Sequence, residues 1–221
     1  MCPFMRLCEG LLTNEQQNFI MTLPMISCIL LSAGLSRRFG SPKALANLGG
    51  ISVLERLQKE LVQSQVGEII VVLGDRAHEI KPHLLDHKKV KFVYNKEFEW
   101  GQTSSFKAGL RVVIGETKGI LLLPVDVPLI KSATIDFLID TFKKSTPLIL
   151  IPTFNGRKGH PPIFSNQLKA ELLELKDSQG LNAFEHRFED RILLVPTQDP
   201  AIVHSFNTVE EFNAIKSMIS K

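Results

Sequence analysis

One repeated pattern limits what this chain can fold into. Short runs that are apolar throughout alternate with segments of helical spacing. Residues 26–31, 68–73 (EIIVVL), 90–94, 119–123 (GILLL) and 148–151 are predicted strands. They lack the polar alternation of a sheet with one wet face, so both faces must be covered. Between them, Val53, Leu54, Leu57, Leu61 and Val62 recur at helical spacing within 52–64, as do Phe106, Leu110 and Val113 within 104–114. A further helix is predicted over 134–142. This alternation means βαβ units with right-handed crossovers. The expected fold is α/β: a three-layer, Rossmann-like arrangement, a mainly parallel sheet with helices on both faces. In such sheets the ligand lies beyond the carboxyl ends of the strands. The loops after Leu31, Leu73, Tyr94 and Leu123 are thus the informative ones.

The regularity weakens after Ile151. Residues 153–162 are rich in Gly, Pro and basic side chains, which predicts a loop. Helices are expected over 167–175 and 181–187, and a strand over 191–195. The last helix opens at Thr208, where Thr208-Val-Glu-Glu211 has capping-box spacing. The region 154–199 is expected to elaborate the ligand edge of the sheet rather than to form a second domain. Residues 1–24 mix Glu9, Asn14, Glu15, Gln16 and Gln17 among apolar residues, unlike a signal peptide. They are expected to be a poorly ordered extension ahead of a single domain over 25–221.

Bulk properties narrow the partners. The net charge of +3 is too small to imply nucleic acid. No run is apolar and long enough to span a bilayer. Cys2, Cys8 and Cys28 are odd in number and form no CxxC, which fits a reducing, cytoplasmic setting and no disulfide framework. His83 and His87 have the spacing of a metal pair but no evident third ligand, and read as exposed positions on a short helix.

The first loop is the most specific signal. It runs Leu30-Leu-Ser-Ala-Gly-Leu-Ser-Arg-Arg-Phe-Gly-Ser-Pro-Lys43, directly after a buried strand. Small residues let main-chain amides come close to phosphate oxygens. Arg37, Arg38 and Lys43 supply positive charge, arginine as a planar fork. Neither GxxxxGK[ST] nor GxGxxG is present, which disfavours a P-loop NTPase and a dinucleotide oxidoreductase. From these residues alone, a triphosphate cradle and a solvated surface loop both remain open.

The stretch LLSAGLSRRFGSPKAL resembles the signature loop of the MobA-like nucleotidyltransferases, LAAGxSxRFGxPKxL. The resemblance implies a nucleotide-diphospho-sugar transferase type of fold. It implies that the backbone around Ser32, Ala33, Gly34 and Leu35 holds base and phosphates, with Arg38 and Lys43 on the triphosphate. Alanine at position 33 looks like the pyrimidine-using branch, hence CTP; glycine there would look like the GTP-using branch.

The other loops extend the likeness. Gly74, in Leu73-Gly74-Asp75, falls where relatives approach the nucleobase, and Gly-Asp is also a common turn dipeptide. Asn95-Lys-Glu-Phe-Glu-Trp-Gly101-Gln-Thr-Ser-Ser105 is similar to an Nxx(W)xxGxxxS segment, which implies nucleotide contacts from Asn95, Gly101, Ser104 and Ser105. Thr103 or Ser104 also suits a helix N-cap, and Trp100 suits core packing. Asp126, in Leu-Pro-Val-Asp126-Val-Pro128, matches the family's metal-binding Asp, although a helix N-cap is the alternative. Asn207, in Ser205-Phe-Asn207-Thr-Val-Glu-Glu211, matches the (D/N)TPE(D/E) segment, with Val209 where Pro is usual. Together they imply a Mg²⁺ site.

The segment Gly156-Arg-Lys-Gly-His160-Pro-Pro-Ile-Phe164 resembles the GRRGHPxxF of molybdenum cofactor cytidylyltransferases. It implies acceptor contacts from Arg157, His160 and Pro161, with charge from Lys158. One departure stands out: Asn182 replaces the Arg of a GDxGAR-like segment. The implied activity is Mg²⁺-dependent transfer of CMP from CTP to a phosphorylated acceptor, a pterin phosphate, with release of pyrophosphate. A molybdoenzyme would receive the product. The departure leaves open GTP, a sugar- or polyol-phosphate acceptor, or a non-catalytic nucleotide-binding chaperone.

Overall fold

The structure, a computed structural model, describes residues 25–219. The expectations for residues 1–24, with Cys2 and Cys8, lie outside the described residues. The strands are β1 (Met25–Ser32), β2 (Asn47–Leu48), β3 (Ile51–Ser52), β4 (Glu68–Leu73), β5 (Val90–Tyr94), β6 (Thr117–Pro124), β7 (Ile149–Phe154), β8 (Arg157–Lys158), β9 (Ile163–Ser165) and β10 (Ile192–Pro196). The α-helices are α1 (Val53–Gln63), α2 (Ala77–Ile80), α3 (Gln102–Val112), α4 (Ser132–Ser145), α5 (Lys169–Leu173), α6 (Leu181–His186) and α7 (Val209–Ile219).

The main sheet runs β10-β7-β9-β6-β1-β4-β5, with β8 paired to β7. β1 lies between β4 and β6, parallel to both, and β5 extends the parallel set beyond β4. Alternate residues of the central strands feed two cores. Cys28 and Leu30 of β1 pack with Leu54, Leu57 and Leu61 of α1 and Leu138 and Phe142 of α4. Ile29 and Leu31 pack on the other face with Phe106 and Leu110 of α3 and Leu172 and Phe184 of α5 and α6. This is the expected three-layer arrangement, and it explains the largely apolar strands; the buried polar groups Ser27, Glu68 and Thr117 satisfy one another by hydrogen bonds. Burial pushes the Cys28 thiol up in pKa, so the side chain is a small neutral hydrophobe.

Two features depart from the sequence expectation. β5 was expected to be covered on both faces like the others. It is the edge strand, and Phe92 and Tyr94 are exposed, with Lys81 over the Phe92 ring. Residues 153–162 were expected to be a loop. They instead include a tight hairpin between β7 and β8, leading into β9, which inserts antiparallel between β6 and β7. Asn155 and Gly156 both have positive φ at that hairpin. An Asn-Gly pair is the residue choice such a turn demands, and was the available signal. His83 is exposed on a short 3₁₀ turn as expected, whereas His87 lies beyond it, half-buried, its Nδ1 accepting from the Lys89 amide.

α3 crosses β1 through Gly109. A Cβ there would lie 2.6 Å from Cγ2 of Ile29 and 3.1 Å from its Cδ1. Gly109→Ala should therefore cost about 1–3 kcal/mol by overpacking, outweighing the ~1 kcal/mol gain in helix propensity. Urea unfolding measures this; a stabilised variant would show that the helix can lift off the sheet freely.

Candidate active site

The carboxyl ends of β1 and β6 open into a cavity of about 550 Å³. Its floor is the loop after β1. Ser36 takes positive φ, and its carbonyl accepts from the amides of Phe39 and Gly40, which folds the loop back on itself. Phe39 then anchors the turn, edge-on to Phe206 at 5.2 Å and Phe212 at 5.5 Å between ring centroids. The Ser32, Ala33, Gly34, Leu35, Arg37 and Arg38 positions all line the cavity. Both arginines are exposed and in no ion pair among the described residues. The Ser32 hydroxyl is buried at the cavity wall and has no hydrogen-bond partner among the described residues. An unpaired buried hydroxyl is costly unless something supplies its bond.

Three distant segments meet at Lys43. Its ammonium donates to Oδ2 of Asp126 at 3.1 Å and to Oδ1 of Asn207 at 2.9 Å. It also lies over the Phe206 ring, 5.4 Å from the centroid. Main-chain bonds hold these partners in place. The Val125 amide donates to the Leu31 carbonyl at 3.0 Å, and the Phe206 amide to the Asp126 carbonyl at 3.1 Å. At the start of α7, Glu211 accepts from the Asn207 and Thr208 amides while its own amide donates to the Thr208 hydroxyl. That is the capping box read from the sequence, and it fixes Asn207 just outside the helix. Asp126 accordingly points into the cavity and caps no helix: α4 starts at Ser132, after Lys131.

The remaining expected positions divide into two groups. Gly101, Ser105 and His160 line the same cavity. Asn95 and Ser104 do not: both are buried behind the wall. The Asn95 amide donates to the hydroxyls of Ser104 and Ser105, and Ser104 donates to the Glu97 and Gly101 carbonyls. These residues shape the turn into α3; their polar atoms are consumed internally. Gly74 likewise serves by closeness, since a Cβ there would lie 2.6 Å from the Ala33 carbonyl oxygen. Trp100, which suited core packing, is 58% exposed beside the lining residues Glu99 and Gly101. Sequence reasoning passed over Glu99, Gln102 and Ser205, which also line the cavity.

His160 forms a wall between this cavity and a second one of about 360 Å³. Its amide donates to the Ile202 carbonyl, and Gly159 is pressed against that same carbonyl, so the turn is held from below. Arg157 is exposed on β8 and Pro161 is buried; neither lines either cavity. Lys158, by contrast, lines the second cavity, as does Asn182. Burial lowers the His160 pKa, only partly offset by the negative charge of Asp126, and its Nδ1 has no partner among the described residues. The imidazole is therefore neutral near pH 7.

This has a consequence for stability. A histidine whose folded pKa lies below its unfolded value binds its proton more readily in the unfolded chain. Wild-type stability relative to His160→Gln should fall as pH drops below about 6.5. Urea midpoints for both proteins between pH about 7.5 and about 5 test this; a pH-independent difference would mean the imidazole is not desolvated.

Comparison with known proteins agrees with the architecture. Over 178 residues the chain is 29% identical to the bifunctional protein GlmU of Trichodesmium erythraeum, covering 74% of this chain and 38% of that one. It is 28% identical over 149 residues to the molybdenum cofactor cytidylyltransferase of Escherichia coli, covering 67% and 74% respectively. Among solved structures, Rv0371C of Mycobacterium tuberculosis H37Rv in complex with manganese superposes with a TM-score of 0.74 at 23% identity, covering 89% of this chain and all 100% of that one. Among the described residues no helix is long and apolar enough to cross a membrane. The family model of the MobA-like NTP transferase domain matches residues 28–192, which include the first loop, Asp126 and His160, and the chain belongs to that family.

Proposed function

We propose that this chain is a Mg²⁺-dependent cytidylyltransferase. It moves CMP from CTP onto a phosphorylated acceptor, a pterin phosphate of the molybdenum cofactor, and releases pyrophosphate. One observation carries the reading: the side-chain ammonium of Lys43 sits between the oxygens of Asp126 and Asn207 at the rim of a cavity floored by small residues. Two oxygen donors that converge on one positive charge suit a hard divalent cation. A cation held by Asp126 and Asn207 would neutralise triphosphate charge and stabilise the leaving group.

The chain's own groups supply the rest. The acceptor phosphate is already a nucleophilic anion, so no covalent intermediate and no strong base are required. Its oxygen attacks the α-phosphorus as the bond to the bridging oxygen of pyrophosphate breaks. The protein's work is to align the two phosphates and to balance charge. Arg37 and Arg38, which line the cavity and form no ion pair among the described residues, would balance the charge of the leaving phosphates. Lys43, which pairs with Asp126 and Asn207 in the structure, would offer its ammonium to a phosphate oxygen if those two oxygens held a cation. The Ser32 hydroxyl and the amides around Gly34 meet the nucleotide, and Ala33 favours cytosine over guanine. The Escherichia coli relative supports the pterin acceptor. A sugar-phosphate acceptor is the second reading, supported by Asn182, which lines the second cavity at the position where the molybdenum cofactor cytidylyltransferase pattern usually has Arg.

Pyrophosphate release from a panel of CTP, UTP, GTP and ATP, with each acceptor class, tests the assignment. CTP with the pterin phosphate should dominate; turnover with GTP alone would overturn it. Asp126→Ala should lower turnover by about a thousandfold or more with an unchanged urea midpoint, and wild-type turnover would remove the metal role. In Lys43→Met, Mn²⁺ should bind the nucleotide-free protein about tenfold more tightly, because a like charge has left its site. Electron paramagnetic resonance of free Mn²⁺ reads this. Unchanged affinity would mean the ammonium does not occupy the cation's position.

A further inference from the structure

The second cavity holds a group that the reading above leaves unused. Glu185 lines it, together with Lys158, His160, Asn182 and His186. The Glu185 carboxylate makes no hydrogen bond and no ion pair among the described residues. Burial nevertheless raises its pKa, with the charges of Lys158 and His186 opposing. A half-buried carboxyl without a partner is unfavourable, and such groups gather at binding sites.

The position is built rather than incidental. Leu181 and Phe184 of α6 are buried, which turns Asn182 and Glu185, one helical turn apart, toward the cavity. The connection leading into α6 is tied to α3 from below. The Lys107 ammonium donates to the Leu175 carbonyl at 2.8 Å and to Asp177 at 3.2 Å, and the Thr103 hydroxyl donates to the Gln179 carbonyl at 2.7 Å.

Charge then orients the occupant. Of the α6 side chains that line the cavity, Asn182 is neutral and Glu185 would repel a phosphate, and Lys158 across from them on β8 only offsets that charge. His160, shared by both cavities and neutral, marks the path between them. A phosphate belongs on the first-cavity side of His160, near Lys43 and the arginines, and the organic body belongs beside Glu185. A carboxylate can only accept, so that body must donate.

We propose that Glu185 is a specificity-determining residue that takes an N–H or O–H donor from the organic part of the acceptor, so the acceptor is a phosphate ester with a donor-bearing polar body. The proposal rests on the nucleotidyltransferase reading. Pterins and sugars both carry such donors, and an alkyl phosphate carries none.

The experiment uses the full chain with CTP and Mg²⁺. The acceptors are molybdopterin, N-acetylglucosamine 1-phosphate and methyl phosphate, and CTP binding is measured separately by calorimetry. The wild type should use one donor-bearing ester at least about tenfold better than methyl phosphate, and which ester it is distinguishes pterin from sugar. In Glu185→Ala the KM for that ester should rise about tenfold or more, the loss of one charged hydrogen bond, with kcat and the thermal midpoint little changed. Glu185→Gln, which keeps an accepting oxygen, should recover part of the loss. An unchanged KM in Glu185→Ala overturns the proposal. So does CTP binding without use of any donor-bearing ester. Absence of CTP binding would instead defeat the underlying nucleotidyltransferase reading.

Discussion

The contact among Lys43, Asp126 and Asn207 is the constraint around which the site is organised. A carboxylate at the end of a buried apolar strand is costly unless a positive charge meets it. Here the first loop provides that charge, and the neutral amide of Asn207 completes its coordination. The three residues come from the loop after β1, the end of β6 and the segment before α7. No two are neighbours in sequence. What brings them together is the parallel pairing of β1 with β6, and the main-chain bond from Phe206 to Asp126. The aromatic group of Phe39, Phe206 and Phe212 then locks the loop against the C-terminal helix. Chemistry at the rim and packing beneath it are one construction.

Much of this was legible in the sequence, for physical reasons. β1, β4 and β6 are covered on both faces, which requires runs that are largely apolar, with the few buried polar groups, Ser27, Glu68 and Thr117, bonded to one another. The capping box at Thr208 is a local hydrogen-bond pattern, so local spacing was enough to find it. The first loop announced itself through small residues and clustered basic ones after a strand. Elsewhere local pattern misled. β5, apart from Lys91, looks as apolar as its neighbours, yet no strand among the described residues pairs with its outer edge, and Phe92 and Tyr94 face solvent. β9 is three residues long, and its pairing partners lie over 40 positions earlier on β6 and about 14 earlier on β7; periodicity has no room to show itself there.

The site residues show a similar division. Polar side chains near a ligand look alike in sequence whether they face it or support the wall. Asn95 and Ser104 spend their hydrogen bonds on the turn into α3, whereas Ser32 and His160 keep buried polar atoms without a partner among the described residues. Glu185 had no motif around it and gains meaning only because α6 is anchored next to a cavity. Burial and partnering, which separate these cases, are properties of the fold and not of the residue type.

The position of β9 has a further consequence. β6, β1, β4 and β5 all come from residues before 125, whereas β7, β8, β9 and β10 all come from residues after 148. The antiparallel β9 is the seam between these two blocks, and the His160 turn leads directly into it. Insertions or exchanges beyond the seam can reshape one chamber while the parallel half stays intact. A chain organised this way can acquire a new second substrate without rebuilding the machinery that handles the first.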